Sequence, residues 1–193
     1  LNPLDPSNLR LWGLVLAAVL PSGAVGALTD DWMEENLHRP AVVGVCLIAY
    51  GVFFLLAERR RTPPRITRAE DTDLSTALGI GLFQCLSLVP GTSRSGATVL
   101  GGLLLGASRT AAAEFSFLMA LPTMLGACLF RGGKLVLAGT VFTGTETAAL
   151  LTGCAVSFSV SLLVIRALLD YVRTHTFAPF ARYRMALGAA VLL

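Results

Sequence analysis

Charge is what this sequence has least of. Lysine, arginine, aspartate and glutamate make up 14% of the 193 residues, where a soluble domain carries roughly 25%. Beside 54% hydrophobic residues and a mean hydropathy of +0.71, that scarcity excludes an ordinary soluble globule. The class it leaves is an all-α polytopic membrane protein. A net charge of +3 is too small to suggest a nucleic-acid partner. Histidine is nearly absent: His38 and His175 both read as solvated loop residues. The four cysteines, Cys46, Cys85, Cys128 and Cys154, lie in apolar runs with no C-x-x-C spacing. They read as small apolar side chains rather than metal or redox ligands. No secretory leader or transit pattern precedes the first apolar run. The chain opens on Leu1 instead of Met, and its last apolar run, Met185–Leu193, falls short of the roughly 20 residues a spanning helix needs. The expectation is a fragment cut at both ends, forming one integral membrane domain over residues 1–193.

The apolar runs set out the spans. The first covers Leu9–Leu28, with a kink expected at Pro21-Ser22-Gly23, and an acidic loop holding Asp30, Asp31, Glu34 and Glu35 follows. The second covers Ala41–Ala57 and leads into Glu58–Asp73, where Arg59, Arg60, Arg61, Arg65 and Arg68 mark a cytoplasmic side. Later spans cover Phe115–Phe130 and Thr147–Leu169, joined by an outer loop with Arg131, Lys134 and Glu146. A basic loop with Arg173, Arg182 and Arg184 precedes the truncated final run.

Between these lie two short apolar arms, Leu74–Val89 and Ala97–Ala107, around a polar break. Neither arm comfortably crosses a hydrocarbon core of about 30 Å at about 1.5 Å per residue. A re-entrant helix–loop–helix over about residues 74–107 is expected, since irregular backbone at membrane depth must line a cavity or be buried in protein, and the alternative is one long irregular span with a polar kink. Entering and leaving on one side, this pair also keeps both arginine-rich loops on one face, as the positive-inside rule requires.

The break reads PGTSRSGAT over Pro90–Thr98. Pro90 and Gly91 end the first arm, because proline lacks an N–H and glycine permits a sharp turn. Ser93, Arg94 and Ser95 set a guanidinium between two hydroxyls, and Gly96 permits close approach to the backbone. Ala97 and Thr98 begin a helix, for which Ser95 is the expected N-cap. Such an N-terminus offers unpaired N–H groups and partial positive charge to an anion, and Arg94 adds bidentate hydrogen bonds suited to phosphate. An arginine at membrane depth is costly and marks a functional candidate. The structural alternative pairs Arg94 with a carboxylate and leaves the serines as caps. Glu114 is the one carboxylate close to the loop in sequence. It is expected in an ion pair with Arg109 or Arg94, with catalysis as its alternative role. A histidine nucleophile is unsupported: Ala24 follows Pro21-Ser22-Gly23, and no histidine follows Ser93-Arg94 before His175.

Pro90–Thr98 resembles the second signature of the bacterial undecaprenyl-diphosphatases, the bacitracin-resistance membrane phosphatases. Gly81-Leu82-Phe83-Gln84-Cys85 before it, and Gly106-Ala107-Ser108-Arg109 and Glu114–Pro122 after it, extend the likeness. The resemblance implies an inverted-repeat architecture with the site where two re-entrant loops meet. It implies hydrolysis of undecaprenyl diphosphate to undecaprenyl phosphate and inorganic phosphate, recycling the lipid carrier for peptidoglycan synthesis and conferring bacitracin resistance. Arg94, Ser93 and Thr98 would be catalytic, and Ser95, Gly91 and Gly96 would bind substrate. The implied location is the bacterial inner membrane, and the partners are the bilayer, the polyprenyl diphosphate lipid and, left open, a second copy in a homodimer. A divalent cation, Mg or Ca, is also implied. Its ligands belong to a glutamate-rich first signature expected upstream of Leu1, and no metal ligand set is visible here. The isolated chain is accordingly expected to be inactive. The alternative is a prenyl-phosphate lipid transporter or flippase without hydrolysis, because broken helices with cationic tips also serve transport.

Overall fold

A computed structural model describes residues 6–59, 63–139 and 142–193, with the side chains of residues 6–8, 30, 31 and 34 outside the description. Asp30, Asp31 and Glu34 of the acidic segment, and Arg60 and Arg61, therefore carry no side-chain account here. Among the described residues seven α-helices follow one another: α1 (Pro6–Leu37), α2 (Pro40–Arg59), α3 (Leu74–Cys85), α4 (Arg94–Leu104), α5 (Arg109–Leu137), α6 (Gly144–Thr174) and α7 (Ala178–Leu192). Four stretches of the described residues are long and apolar enough to cross a membrane: Leu9–Thr29, Pro40–Arg59, Arg109–Leu137 and Gly144–Thr174. The chain is a polytopic membrane protein.

The helices outrun the apolar runs that announce them. The expected acidic loop is instead the last turns of α1, and Arg131 and Lys134, expected in an outer loop, lie inside α5. Arg182 and Arg184 likewise belong to α7 rather than to a loop. The reason is general: hydropathy marks where hydrocarbon ends, whereas backbone hydrogen bonding continues through the interface. Lys134 shows how, with its ammonium 4.7 Å from the centre of the Phe130 ring one turn back. Pro21 and Pro122 are both absorbed within their helices.

The short helices α3 and α4 form a hairpin at the centre of the packing. α3 is set by Asp73, which caps it by accepting from the Thr76 N–H at 2.7 Å. One core cluster packs Val15 and Ala18 of α1, Ala77 and Ile80 of α3, and Phe115 and Met119 of α5. The other packs Tyr50 and Phe54 of α2, Ala97 and Leu100 of α4, Ala111 and Ala112 of α5, and Ala181 of α7. Each arm of the hairpin thus anchors one cluster. α6 is the opposite case, with 0% of its apolar window buried.

The two ends of the hairpin are stitched together. Arg65 and Ile66 donate their N–H groups to Gly106 O at 2.8 and 3.1 Å, and Ser108 donates its own to Ile66 O at 2.7 Å. Arg65 also bonds Asp73 and Thr76 at the start of α3. The chain therefore leaves the hairpin where it entered. Arg10 near the start of α1 donates to Thr72 O at 3.3 Å, placing that helix end at the same level.

Candidate functional site

The closed end of the hairpin is built by a few residues with separate tasks. After α3, a 3₁₀ turn over Leu86–Leu88 leads to Val89. There Thr92 N donates to Val89 O at 3.1 Å across Pro90-Gly91. Gly91 has φ +88°, so this is a type II turn with proline and glycine at the positions that type requires. Glycine is needed twice over: a Cβ at Gly91 would sit 2.6 Å from Val43 O of α2. The turn delivers Ser93 in extended conformation, φ −63° and ψ 129°, as the N-cap of α4.

The cap is thus Ser93, two residues before the expected Ser95. Its Oγ accepts from Gly96 N at 3.2 Å. The extended backbone an N-cap needs is what the turn imposes on Ser93, while Ser95 is already helical. Ser95 Oγ stands 3.2 Å from Ser93 Oγ at the head of the helix. The first-turn N–H groups and two hydroxyls converge there, which suits an anion.

The predicted residues do not all face one way. Ser93, Ser95 and Gly96 line a cavity of about 290 Å³, together with Ser116, Tyr183 and Arg184. Arg94 lines a different cavity, of about 560 Å³, with Ser22, Gln84, Ser87 and Thr123. Thr98 is buried at 1% exposure. Its hydroxyl lies 2.6 Å from Ser116 Oγ of α5 and within 3.2 Å of the Arg94 and Ser95 carbonyls. With one proton to share among these, Thr98 fastens α4 to α5 one turn below the anion-facing groups.

The proposed Glu114–Arg109 pair does not form. Arg109 instead takes Glu58 of α2, with Nε 2.8 Å from Oε1 and Nη2 on Oε2. Glu58 also accepts from Phe177 N at 3.1 Å. The geometry of a helix explains the correction: five residues at about 100° each set Glu114 roughly 140° around α5 from Arg109. Nor does Glu114 pair with Arg94, and among the described residues no carboxylate pairs with that arginine.

Arg184 is the residue that sequence reasoning passed over. From α7 its Nη2 donates to Gly91 O at 2.9 Å, and its guanidinium lies 5.8 Å from the centre of the Tyr50 ring. Nη1 lies 3.3 Å from where a Cβ at Gly96 would be, so the glycine makes room for this second cation. A signal was present: Arg184 interrupts an apolar helix, the circumstance that singled out Arg94.

Among the described residues, no group of three or more histidine, cysteine, aspartate or glutamate side chains could hold a metal. None of the described carboxylates lines either cavity beside the loop. These residues therefore do not fit the implied divalent cation.

Comparison with known proteins bears on the whole arrangement. A family described as Bacitracin resistance protein BacA matches residues 2–190. The chain is 51% identical over 186 residues to the undecaprenyl-diphosphatase of Lacticaseibacillus casei (strain BL23), covering 95% of this chain and 68% of that protein. It is 49% identical over 192 residues to the protein of the same name from Enterococcus faecalis, covering 98% and 68%. Against that of Lactobacillus delbrueckii subsp. bulgaricus the identity is 46%, covering 100% and 74%. On that coverage and identity, the chain belongs to the bacitracin-resistance BacA family of membrane proteins.

Proposed function

We propose that this chain binds undecaprenyl diphosphate at the closed end of the α3–α4 hairpin and serves its hydrolysis to undecaprenyl phosphate and inorganic phosphate in the bacterial inner membrane. The observation that carries this is the grouping at the hairpin tip of the α4 N-terminus, Ser93, Ser95 and Arg184 about one cavity, with Arg94 beside them lining the other. A diphosphate needs several donors at once. Phosphoryl transfer also gains most from preorganised positive charge around the equatorial oxygens. Arg94 and Arg184 supply charge, Ser93 and Ser95 hydroxyls and the α4 N–H groups orient oxygens, and Thr98 holds α4 in place.

The hairpin's placement supports a re-entrant reading. Its ends are joined near Arg10 and Thr72, while its tip meets Val43, fifteen residues before Glu58 on α2. That separation is roughly 22 Å of helical rise, deep into a hydrocarbon core of about 30 Å. Arg10, Arg65, Arg68, Arg109 and Arg173 gather at the opposite level from the tip, which favours a cytoplasmic entry. An inverted-repeat partner for this hairpin belongs to the same proposal.

The test separates binding from turnover. Purified chain in lipid nanodiscs should bind a fluorescent prenyl diphosphate, and Arg94→Ala should weaken that by about a hundredfold, as loss of a charged bidentate contact predicts. In the product of the whole reading frame, phosphate release should fall in parallel. Release that survives Arg94→Ala unchanged would overturn the assignment, and binding without release would favour lipid transport.

A further inference from the structure

Gln84 stands at the last turn of α3, 1% exposed, on the wall of the cavity that Arg94 lines. Its Nε2 donates to Ser22 Oγ of α1 at 2.6 Å and to Thr123 Oγ1 of α5 at 3.2 Å. Both hydroxyls have spent their own protons, Ser22 on Val19 O at 3.0 Å and Thr123 on Met119 O at 2.7 Å. Each can only accept, so the amide must present its nitrogen to them and its oxygen elsewhere. Ser22 and Thr123 each follow a proline, Pro21 and Pro122, inside a long helix. Three helices thus fix one amide in one orientation.

The consequence is a matched pair of unsatisfied atoms. Among the described residues, Gln84 Oε1 is enclosed and has no partner, and Arg94 Nη1 is enclosed and has none either. One is an acceptor and the other a donor, and both side chains line the same cavity. Among the described residues no carboxylate lines it, and the one other charged group there is Arg131. An acidic partner would orient Arg94 but neutralise it. A neutral amide oxygen orients the guanidinium and leaves its charge to the phosphate.

We infer that Gln84 is a positioning residue for Arg94: its amide oxygen receives the guanidinium through one water in the cavity they share, and sets it for an anion without quenching it. The inference rests on the proposed anion site at the hairpin tip.

The decisive variant is Gln84→Glu, which keeps size and places a titratable carboxyl beside Arg94. The probe is inorganic diphosphate, titrated calorimetrically into the purified chain in nanodiscs between pH 5 and pH 8. Expected is a Kd about tenfold to a hundredfold weaker than the parent at pH 8, recovering as the carboxyl is protonated toward pH 5. Gln84→Met should weaken binding at every pH, without recovery. Thermal unfolding of each variant separates loss of packing from loss of orientation. Binding by Gln84→Glu equal to the parent at pH 8, while Arg94→Ala loses it, would overturn the role of Gln84 and leave the anion site standing. A pH-independent loss in Gln84→Glu matching that of Gln84→Met would also overturn it, leaving Gln84 a brace between helices. Binding that survives Arg94→Ala would overturn the anion site itself, and the role of Gln84 with it.

Discussion

Replacing Glu58 tests whether the membrane helices are pinned at the level where the hairpin enters. Its carboxylate is 8% exposed and engages Arg109, itself 42% exposed, while also accepting from Phe177 N. One side chain therefore joins the end of α2, the start of α5 and the approach to α7. A hydrogen bond to a charged group contributes about 1.5–3 kcal/mol, and the exposure of Arg109 pulls its share toward the lower end. Glu58→Gln keeps an acceptor for Phe177 N–H and loses only the ion pair, so it should cost about 1.5 kcal/mol. Glu58→Ala strands the Phe177 N–H as well and should cost about 3 kcal/mol. Reversible unfolding in mixed micelles of rising SDS fraction measures both. A double-mutant cycle of Glu58→Gln with Arg109→Ala should return a coupling of about 1 to 1.5 kcal/mol. A coupling below about 0.5 kcal/mol, the usual scatter of independent sites, would refute the clamp. Glu114→Gln combined with Arg109→Ala should be additive, since the two side chains lie on different faces of α5.

Much of this architecture was legible in the sequence, and the rest was not for identifiable reasons. The spans announce themselves because about 20 consecutive apolar residues have few other uses. The two arms around Pro90–Thr98 are too short to cross, and the turn at Pro90-Gly91 follows from what those two residues can adopt. The cap register did not follow, because Ser93 and Ser95 are equally good caps. Only the turn's geometry, fixed against Val43 of α2, decides between them. Arg109 pairs with a residue 51 positions away, and local spacing offered Glu114 instead. Arg184 reaches the loop across 93 positions, and its neighbours Arg173 and Arg182 made it read as one of the charges of a basic loop. In each case local rules gave the conformation, and the partner came from packing between helices.

The same placements carry the other predictions. Arg184→Lys keeps the charge but loses the forked reach that bonds Gly91 O while lying beside Gly96. Diphosphate affinity should fall about tenfold, near 1.4 kcal/mol, and unchanged affinity would remove Arg184 from the site. Gly91→Ala meets both the positive φ and the Val43 carbonyl. It should cost at least about 1–2 kcal/mol and abolish binding while far-UV dichroism stays unchanged. Thr98→Val should lower stability by about 1–2 kcal/mol with little change in diphosphate affinity, whereas a large loss of affinity would place Thr98 in direct contact with the ligand. The last prediction concerns pH at the hairpin's entrance. The Asp73 carboxyl is held below its ordinary range, first by hydrogen bonds from Thr76 and then by the Arg65 charge. A depressed carboxyl favours the folded state above its unfolded value of about 3.9, and that contribution fades as pH falls through the lower folded value. Stability should therefore drop below about pH 4, and Asp73→Asn should be less stable at neutral pH with a flatter acid limb. An acid limb as steep in Asp73→Asn as in the parent would show that other carboxylates set it, leaving Asp73 as a helix cap alone.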